Sequence, residues 1–207
     1  MSKLIAITGS IAAGATTLAE KLEELMRLRR QLEENVERSN AFFQIYHEDP
    51  HRWAFSNQVM FLTKSAEKHA SMRNDTTDTV HIQDFTPFEH TEVYATVLHQ
   101  MGRLSEAEYK LLQRLTKLIE PLYKVPDVLI YRRRSKESSR QRIVERGRPS
   151  EQGLDEPYLD ALWTRFEEWT AQWKRSPVII VDESVDVLKD GDHLQQLVGE
   201  LRKNLNA

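Results

Sequence analysis

Apolar residues along this chain keep two rhythms. Four short, nearly continuous runs read as buried strands: Lys3–Thr8, Thr79–Gln83, Asp127–Tyr131 and Pro177–Asp182. Between them the apolar positions repeat at helical spacing. One such pattern begins at Trp53, Phe55, Val59, Met60 and Phe61, and another places Leu111, Leu112, Leu115, Leu118, Ile119 and Leu122 on one face. A third carries Tyr158, Leu159, Leu162, Trp163, Phe166, Trp169 and Trp173, and the last has Leu194, Leu197, Val198 and Leu201. A further strand near Arg29–Glu33 fits the spacing, but its sequence is polar. The aromatic stripes read as core rather than as platforms for stacked bases. Strands alternating with helices predict an α/β sandwich around a parallel sheet.

The chemistry begins directly after the first strand. Gly9 to Thr17 reads G-S-I-A-A-G-A-T-T, close to the phosphate-binding loop G-x-x-x-x-G-K-[ST]. Gly9, Gly14 and Thr16 hold their places, and Ala15 stands where the lysine belongs. Thr16 onward opens a helix, so the backbone N–H groups from Ala13 to Thr17 are positioned to cradle an anion without any side chain. The ammonium that would reach the β- and γ-phosphates is gone. The loop would lie at the carboxyl edge of the first strand, where open parallel sheets bind ligands.

Bulk properties narrow the field. A chain of 207 residues is one domain, residues 1–207, with room for a small lid. A net charge of −3 gives no general attraction to polyanions, so nucleic acid is not an expected partner. The apolar runs are too short to span a membrane or to serve as a signal peptide. Zero cysteines exclude disulfides and cysteine–zinc sites and fit a cytoplasmic location. His47-Glu-Asp-Pro-His51 spells the H-E-x-x-H zinc motif, which needs both histidines on one unbroken helical turn. Pro50 has no N–H and pushes Asp49 out of the α region, so a helix should start there and the two imidazoles should diverge.

Past the loop, a series of motifs in order resembles the deoxynucleoside kinase family, the P-loop deoxyadenosine/deoxyguanosine kinase-like enzymes that phosphorylate deoxynucleosides on the 5′-hydroxyl. Tyr46-His-Glu-Asp-Pro-His-Arg-Trp-Ala-Phe55 with Gln58 is similar to that family's Y-x-D-P-x-x-W-A-x-x-x-Q. The resemblance implies Tyr46 for the sugar 3′-hydroxyl and Gln58 for a paired hydrogen bond to the base, a task suited to an amide. Glu33-Glu34-Asn35-Val36 resembles E-P-V, which makes Glu34 the base that receives the 5′-hydroxyl proton. Asp84 matches the acid of [ED]-R-S near the magnesium, while Phe85 replaces the arginine and Thr86 the serine. Arg142-Ile-Val-Glu-Arg-Gly-Arg148 with Glu151 resembles the lid, about residues 140–153. There Arg146 and Arg148 would close on phosphates, and Glu151 would reach the 3′-hydroxyl. Taken singly, each motif also has a plain structural reading as a turn, a solvated charge cluster or a helix end.

The resemblance implies a three-layer P-loop kinase-like sandwich with a short helical lid. It implies ATP or another nucleoside triphosphate as donor, Mg²⁺ held near Thr16 and Asp84, nucleoside and nucleotide as small-molecule partners, and a homodimer. The expected activity is ATP-dependent transfer to the 5′-hydroxyl, weakened by Ala15 and Phe85 unless relocated cations such as Arg132 or Lys136 compensate. Two alternatives stand beside it: a catalytically inactive nucleoside- or nucleotide-binding pseudokinase, and a partner-binding scaffold. The Arg132–Arg134 cluster after the third apolar run reads as surface, with a phosphate-facing orientation as the alternative.

Overall fold

The computed structural model describes residues 2–30, 39–148, 151 and 153–206. Five parallel strands form one sheet in the order β2-β3-β1-β4-β5. They are β1 (Lys3–Thr8), β2 (Arg29–Arg30), β3 (Val80–Gln83), β4 (Val128–Arg132) and β5 (Val178–Val181). The register pairs Ile5 with Ile82 on one side and with Val128 on the other. All four apolar runs are strands. The polar edge strand β2 is described at Arg29–Arg30, and the rest of the stretch expected there lies outside the described residues.

Both faces of the sheet are covered, which is why its strands read as continuous apolar runs rather than alternating ones. In β4, Val128 and Ile130 face one core and Leu129 and Tyr131 the other. The first core packs β1, β3, β4 and β5 against α1 (Ala15–Met26) and α8 (Gly191–Leu205). The second packs the opposite face against α2 (Phe43–Glu48), α3 (Pro50–Arg73), a π-helical turn (His90–Ala95) that runs into α4 (Thr96–Gln100), α5 (Glu106–Ile119) and α7 (Glu156–Gln172). α6 (Lys136–Arg146) overlaps the start of the segment expected to be a lid. The result is the expected three-layer α/β sandwich. The aromatic stripe of α7 is core: Tyr158, Phe166, Trp169 and Trp173 are all buried.

The helix break at Pro50 is present. Asp49 (φ −141°, ψ 85°) ends α2 and caps α3, its carboxylate accepting from the Arg52 N–H at 3.1 Å. His47 and His51 therefore sit on different helices, as the proline predicted.

Candidate active site

The loop after β1 keeps the backbone form that its two glycines allow. Gly9 passes so close to β4 that a Cβ there would stand 2.7 Å from the Arg132 carbonyl oxygen. Gly14 adopts φ 93°, ψ 25° and caps α1, a left-handed conformation that a side chain would strain. The Ala13 N–H donates to the Ser10 carbonyl at 3.0 Å, closing the turn. Within α1 the first capping bond is Leu18 N–H to Gly14 O at 3.1 Å, so the N–H groups of Ala15, Thr16 and Thr17 have no acceptor inside the helix. The missing lysine has not removed the cradle.

Thr16 lies on the first turn of α1 and Asp84 just beyond β3, the strand beside β1. That adjacency brings the Thr16 hydroxyl within 2.6 Å of Asp84 Oδ2, to which it donates. These two residues, chosen from separate motifs 68 positions apart, meet. Phe85 turns away from them and packs half-buried on His90, with ring centroids 4.7 Å apart. His90 in turn stacks on Phe61 at 5.1 Å and bonds Ser65 at 3.0 Å. Burial, with a smaller contribution from His69, holds the His90 imidazole down at about 3.

The residues proposed for the nucleoside lie on α2 and α3. Tyr46 is buried, and its hydroxyl meets Arg103 and Tyr158. Burial raises the phenol's pKa against the opposing pull of the Arg103 guanidinium. Arg103 is itself ion-paired with Asp155 and lies over the Tyr158 ring at 4.9 Å. Gln58 is 5% exposed, and its Oε1 has no hydrogen-bond partner among the described residues. Neighbouring Asn57 accepts from Asn40 at 2.7 Å. Glu34 lies outside the described residues.

The lid residues pair with each other. Arg146 makes a two-pronged bond to Glu151, with Nε at 3.1 Å from Oε2 and Nη2 on Oε1. Arg148 is exposed beyond the end of α6. Among the described residues Tyr46 and Glu151 make no contact with each other. A small crevice of about 20 Å³ lies beside the loop, lined by residues that include Ser10, Ile11, Ser139, Ile143 and Asp160 but neither Tyr46 nor Gln58.

The arginine cluster after β4 departs from its surface reading. Only Arg133 is exposed, bonded to Glu167 at 3.0 and 3.1 Å. Arg132 is 2% exposed and ties the ends of β4 and β5 together by donating to the carbonyls of Val181, Asp182 and Val185. Arg134 turns inward and its Nε donates to the Ala13 carbonyl at 3.4 Å. Alternation along an extended segment accounts for the difference: residues 132 and 134 share one side and 133 the other. That period was visible in the sequence, but three identical charges in a row concealed it. Arg103 carried no motif that could have flagged it.

A parallel sheet of this order with a glycine-bounded loop after its first strand defines a P-loop kinase-type protein. The deoxynucleoside kinase family model matches residues 5–206, and the chain belongs to that family. It is 27% identical to the deoxyadenosine/deoxycytidine kinase of Bacillus subtilis (strain 168) over 97% of this chain and 92% of that protein. It is 30% identical to the deoxyadenosine kinase of Dictyostelium discoideum over 94% of this chain and 77% of that protein. Among solved structures, a deoxyadenosine kinase from M. mycoides with products dCMP and a flexible dCDP bound matches with a TM-score of 0.83 at 23% identity, covering 97% of this chain and 99% of that one.

Proposed function

We propose that this protein transfers the γ-phosphoryl group of ATP or another nucleoside triphosphate to the 5′-hydroxyl of a deoxynucleoside. The observation that carries the reading is the bond between Thr16 and Asp84 at the mouth of an intact phosphate loop. A hydroxyl and a carboxylate oxygen are hard donors that suit Mg²⁺, which takes few protein ligands and completes its shell with phosphates and water. Thr16 and Asp84 would hold that ion, and when bound it would neutralise charge on the transferring phosphoryl group.

The chain's own residues divide the remaining work. N–H groups from Ala13 to Thr17, following Gly9 and Gly14, cradle the donor's phosphates. Gln58 holds the base through its amide, and its unpartnered buried oxygen is an acceptor waiting for a donor. Tyr46 and Glu151 orient the sugar, and the carboxylate of Glu34 takes the 5′-hydroxyl proton as the new O–P bond forms and the bond to the β-phosphate oxygen breaks. Arg146 and Arg148 stabilise the transferred charge, which requires Arg146 to exchange Glu151 for a phosphate. The domain is read as one unit, residues 1–207 with the lid at about 140–153. The exposed apolar side chains Leu111, Leu118 and Leu122 on and just after α5 support a homodimer through that face.

Ala15 and Phe85 favour a second reading, a nucleoside-binding protein in which transfer is slow or absent. Loss of one transition-state cation costs a factor of about 10³ in related phosphoryl transfer. Titration calorimetry with deoxynucleosides, followed by a phosphorylation assay with ATP and magnesium on those that bind, separates the two. Binding with product formation upholds the kinase, binding without product leaves the pseudokinase, and no binding overturns both.

A further inference from the structure

The phosphate loop lacks its lysine, yet the space around it is not poor in positive charge. Arg134 leaves β4, turns under the loop and donates from Nε to the Ala13 carbonyl at 3.4 Å. Its Nη1 donates to Ser138 Oγ at 2.6 Å and lies 3.8 Å from Glu183 Oε2. Its Nη2 has no partner among the described residues, although the side chain is only 11% exposed. From α6 a second guanidinium comes in: Arg142 Nη2 stands 3.8 Å from the point where a Cβ on Gly14 would be. Gly14 is the residue just before Ala15. Among the described residues Arg142 forms no ion pair or hydrogen bond.

Two guanidinium groups thus converge on the crown of the loop beside the vacated lysine position. The arrangement has a cost in the absence of an anion. Burial first, and then the neighbouring Arg142, hold Arg134 below the ordinary arginine range, with only Glu183 opposing. Arg132 behind them is pushed down to about 10 by burial, Arg134 and Arg142. Like charges gathered around open backbone N–H groups are stabilised when a polyanion enters between them. Hydrogen bonds to Ala13 and Ser138 hold the Arg134 fork in place before any ligand arrives, so little side-chain freedom is lost on binding.

We propose that Arg134, flanked by Arg142, supplies the positive charge at the donor's phosphates that a lysine at position 15 would otherwise provide. The loss of one cation from the loop is offset by another on the adjacent strand end. This inference rests on the loop being a triphosphate site, and it narrows the question of whether Ala15 leaves the protein inert.

The test is a binding cycle on the full chain with inorganic tripolyphosphate as the probe, read by calorimetry, with deoxyadenosine as a control ligand. Arg134→Met should weaken tripolyphosphate binding by ~10-fold or more, the scale of one charge-assisted contact. Arg134→Gln keeps a donor for Ala13 and Ser138 without the charge, and it should show the same loss; it also serves if the methionine variant does not fold. Ala15→Lys should restore most of the affinity in either variant and change the native protein by less than ~3-fold, a non-additive cycle. Deoxyadenosine affinity should hold throughout. Native-like tripolyphosphate binding by both Arg134 variants, equal gains from Ala15→Lys in every background, or no tripolyphosphate binding by the native chain would each overturn the proposal. The kinase reading fails separately. A native protein that binds tripolyphosphate with the expected cycle but phosphorylates no nucleoside sinks that reading and leaves the cation substitution standing.

Discussion

Around Gly9–Thr17 the proposed site rests on backbone groups, whereas around Tyr46 and Gln58 it rests on side chains. The loop's form depends on two glycines, one pressed against Arg132 O and one in a left-handed turn, and on the N–H groups of a helix start. None of these needs residue 15, so the lysine can vanish and the cradle persist. The nucleoside wall proposed around Tyr46 and Gln58 has no such tolerance. Its working groups, the Gln58 amide and the Tyr46 phenol, are buried polar side chains whose value lies in the atoms they offer a ligand. A backbone site degrades by losing charge, and a side-chain site degrades by losing shape and hydrogen bonds. On the proposed reading Ala15 removes a charge from the loop itself and Arg134 supplies one from the adjacent strand end, while Tyr46 and Gln58 remain buried polar side chains.

The sharpest way to break that contrast is to attack charge on the loop side without touching shape. Asp84→Asn still accepts the Thr16 hydroxyl's bond, so the fold should survive. With the carboxylate's charge gone, the rate of phosphoryl transfer should fall by ~10²–10³ while deoxynucleoside affinity changes by less than ~2-fold. Steady-state kinetics beside calorimetry reads both. A parallel loss of nucleoside affinity would mean that the two halves are not separable.

Acid should act the other way and reach the nucleoside side first. His90 and His69 are fully or nearly fully buried beside and on α3, at about 3 and about 4, in each case chiefly because of burial. Both folded-state values lie below the unfolded value near 6.5, so the unfolded chain takes up protons first as pH falls. The stability of the neutral imidazoles is present above about 6.5 and is lost progressively below it, on the order of 2–3 kcal/mol for each imidazole by pH 4.5. Asp75, held at about 2 mainly by Thr77, adds its own loss only below the ordinary carboxylate range. Urea titrations between pH 7 and pH 4.5 should therefore show falling stability, with a shallower slope for His69→Gln. A flat profile would place these imidazoles in contact with water.

Much of this was legible in the sequence, and the reasons differ by region. The four strands showed because a parallel sheet covered on both faces needs unbroken apolar runs such as Leu4–Ile7. The helix start at Pro50 showed because proline's missing N–H acts locally. Thr16 and Asp84 could be matched because each follows a strand in a fixed frame, and their 2.6 Å contact is a consequence of β1 lying beside β3. The inward turn of Arg134 was legible only as the weaker of two orientations, and the Tyr46–Arg103–Asp155 cluster was hidden. Both depend on contacts between segments far apart in the chain, which no local period encodes. Phe85 was visible as a departure from the motif, but its packing on His90 was not.

Gln58 offers a smaller but cleaner test of the side-chain half. Its Oε1 is buried without a partner, so Gln58→Leu removes an unsatisfied atom and should leave the melting temperature unchanged or raised. If the amide reads the base, the same change should raise the deoxynucleoside Kd by ~10–100-fold, because the base's own donor and acceptor are then buried unpaired. Opposite signs for stability and affinity would mark Gln58 as kept for a ligand. Loss of both would mark it as a packing residue.

The smallest effect is expected at the Arg146–Glu151 pair, on the segment proposed as a lid. Arg146 and Glu151 form a two-pronged pair with side chains 34% and 11% exposed, so solvent screens it and its worth to the fold is under about 1 kcal/mol. Glu151→Gln should therefore leave thermal unfolding almost unmoved. Its kinetic effect should be divided. The KM for nucleoside should rise by ~3–10-fold if the carboxylate reaches the sugar 3′-hydroxyl, the scale of a single hydrogen bond. The KM for the donor should fall slightly, because Arg146 no longer has to leave Glu151 before it meets a phosphate. A rise in both constants would place Glu151 in the service of Arg146 alone, and the sugar would then be held from the α2–α3 side only.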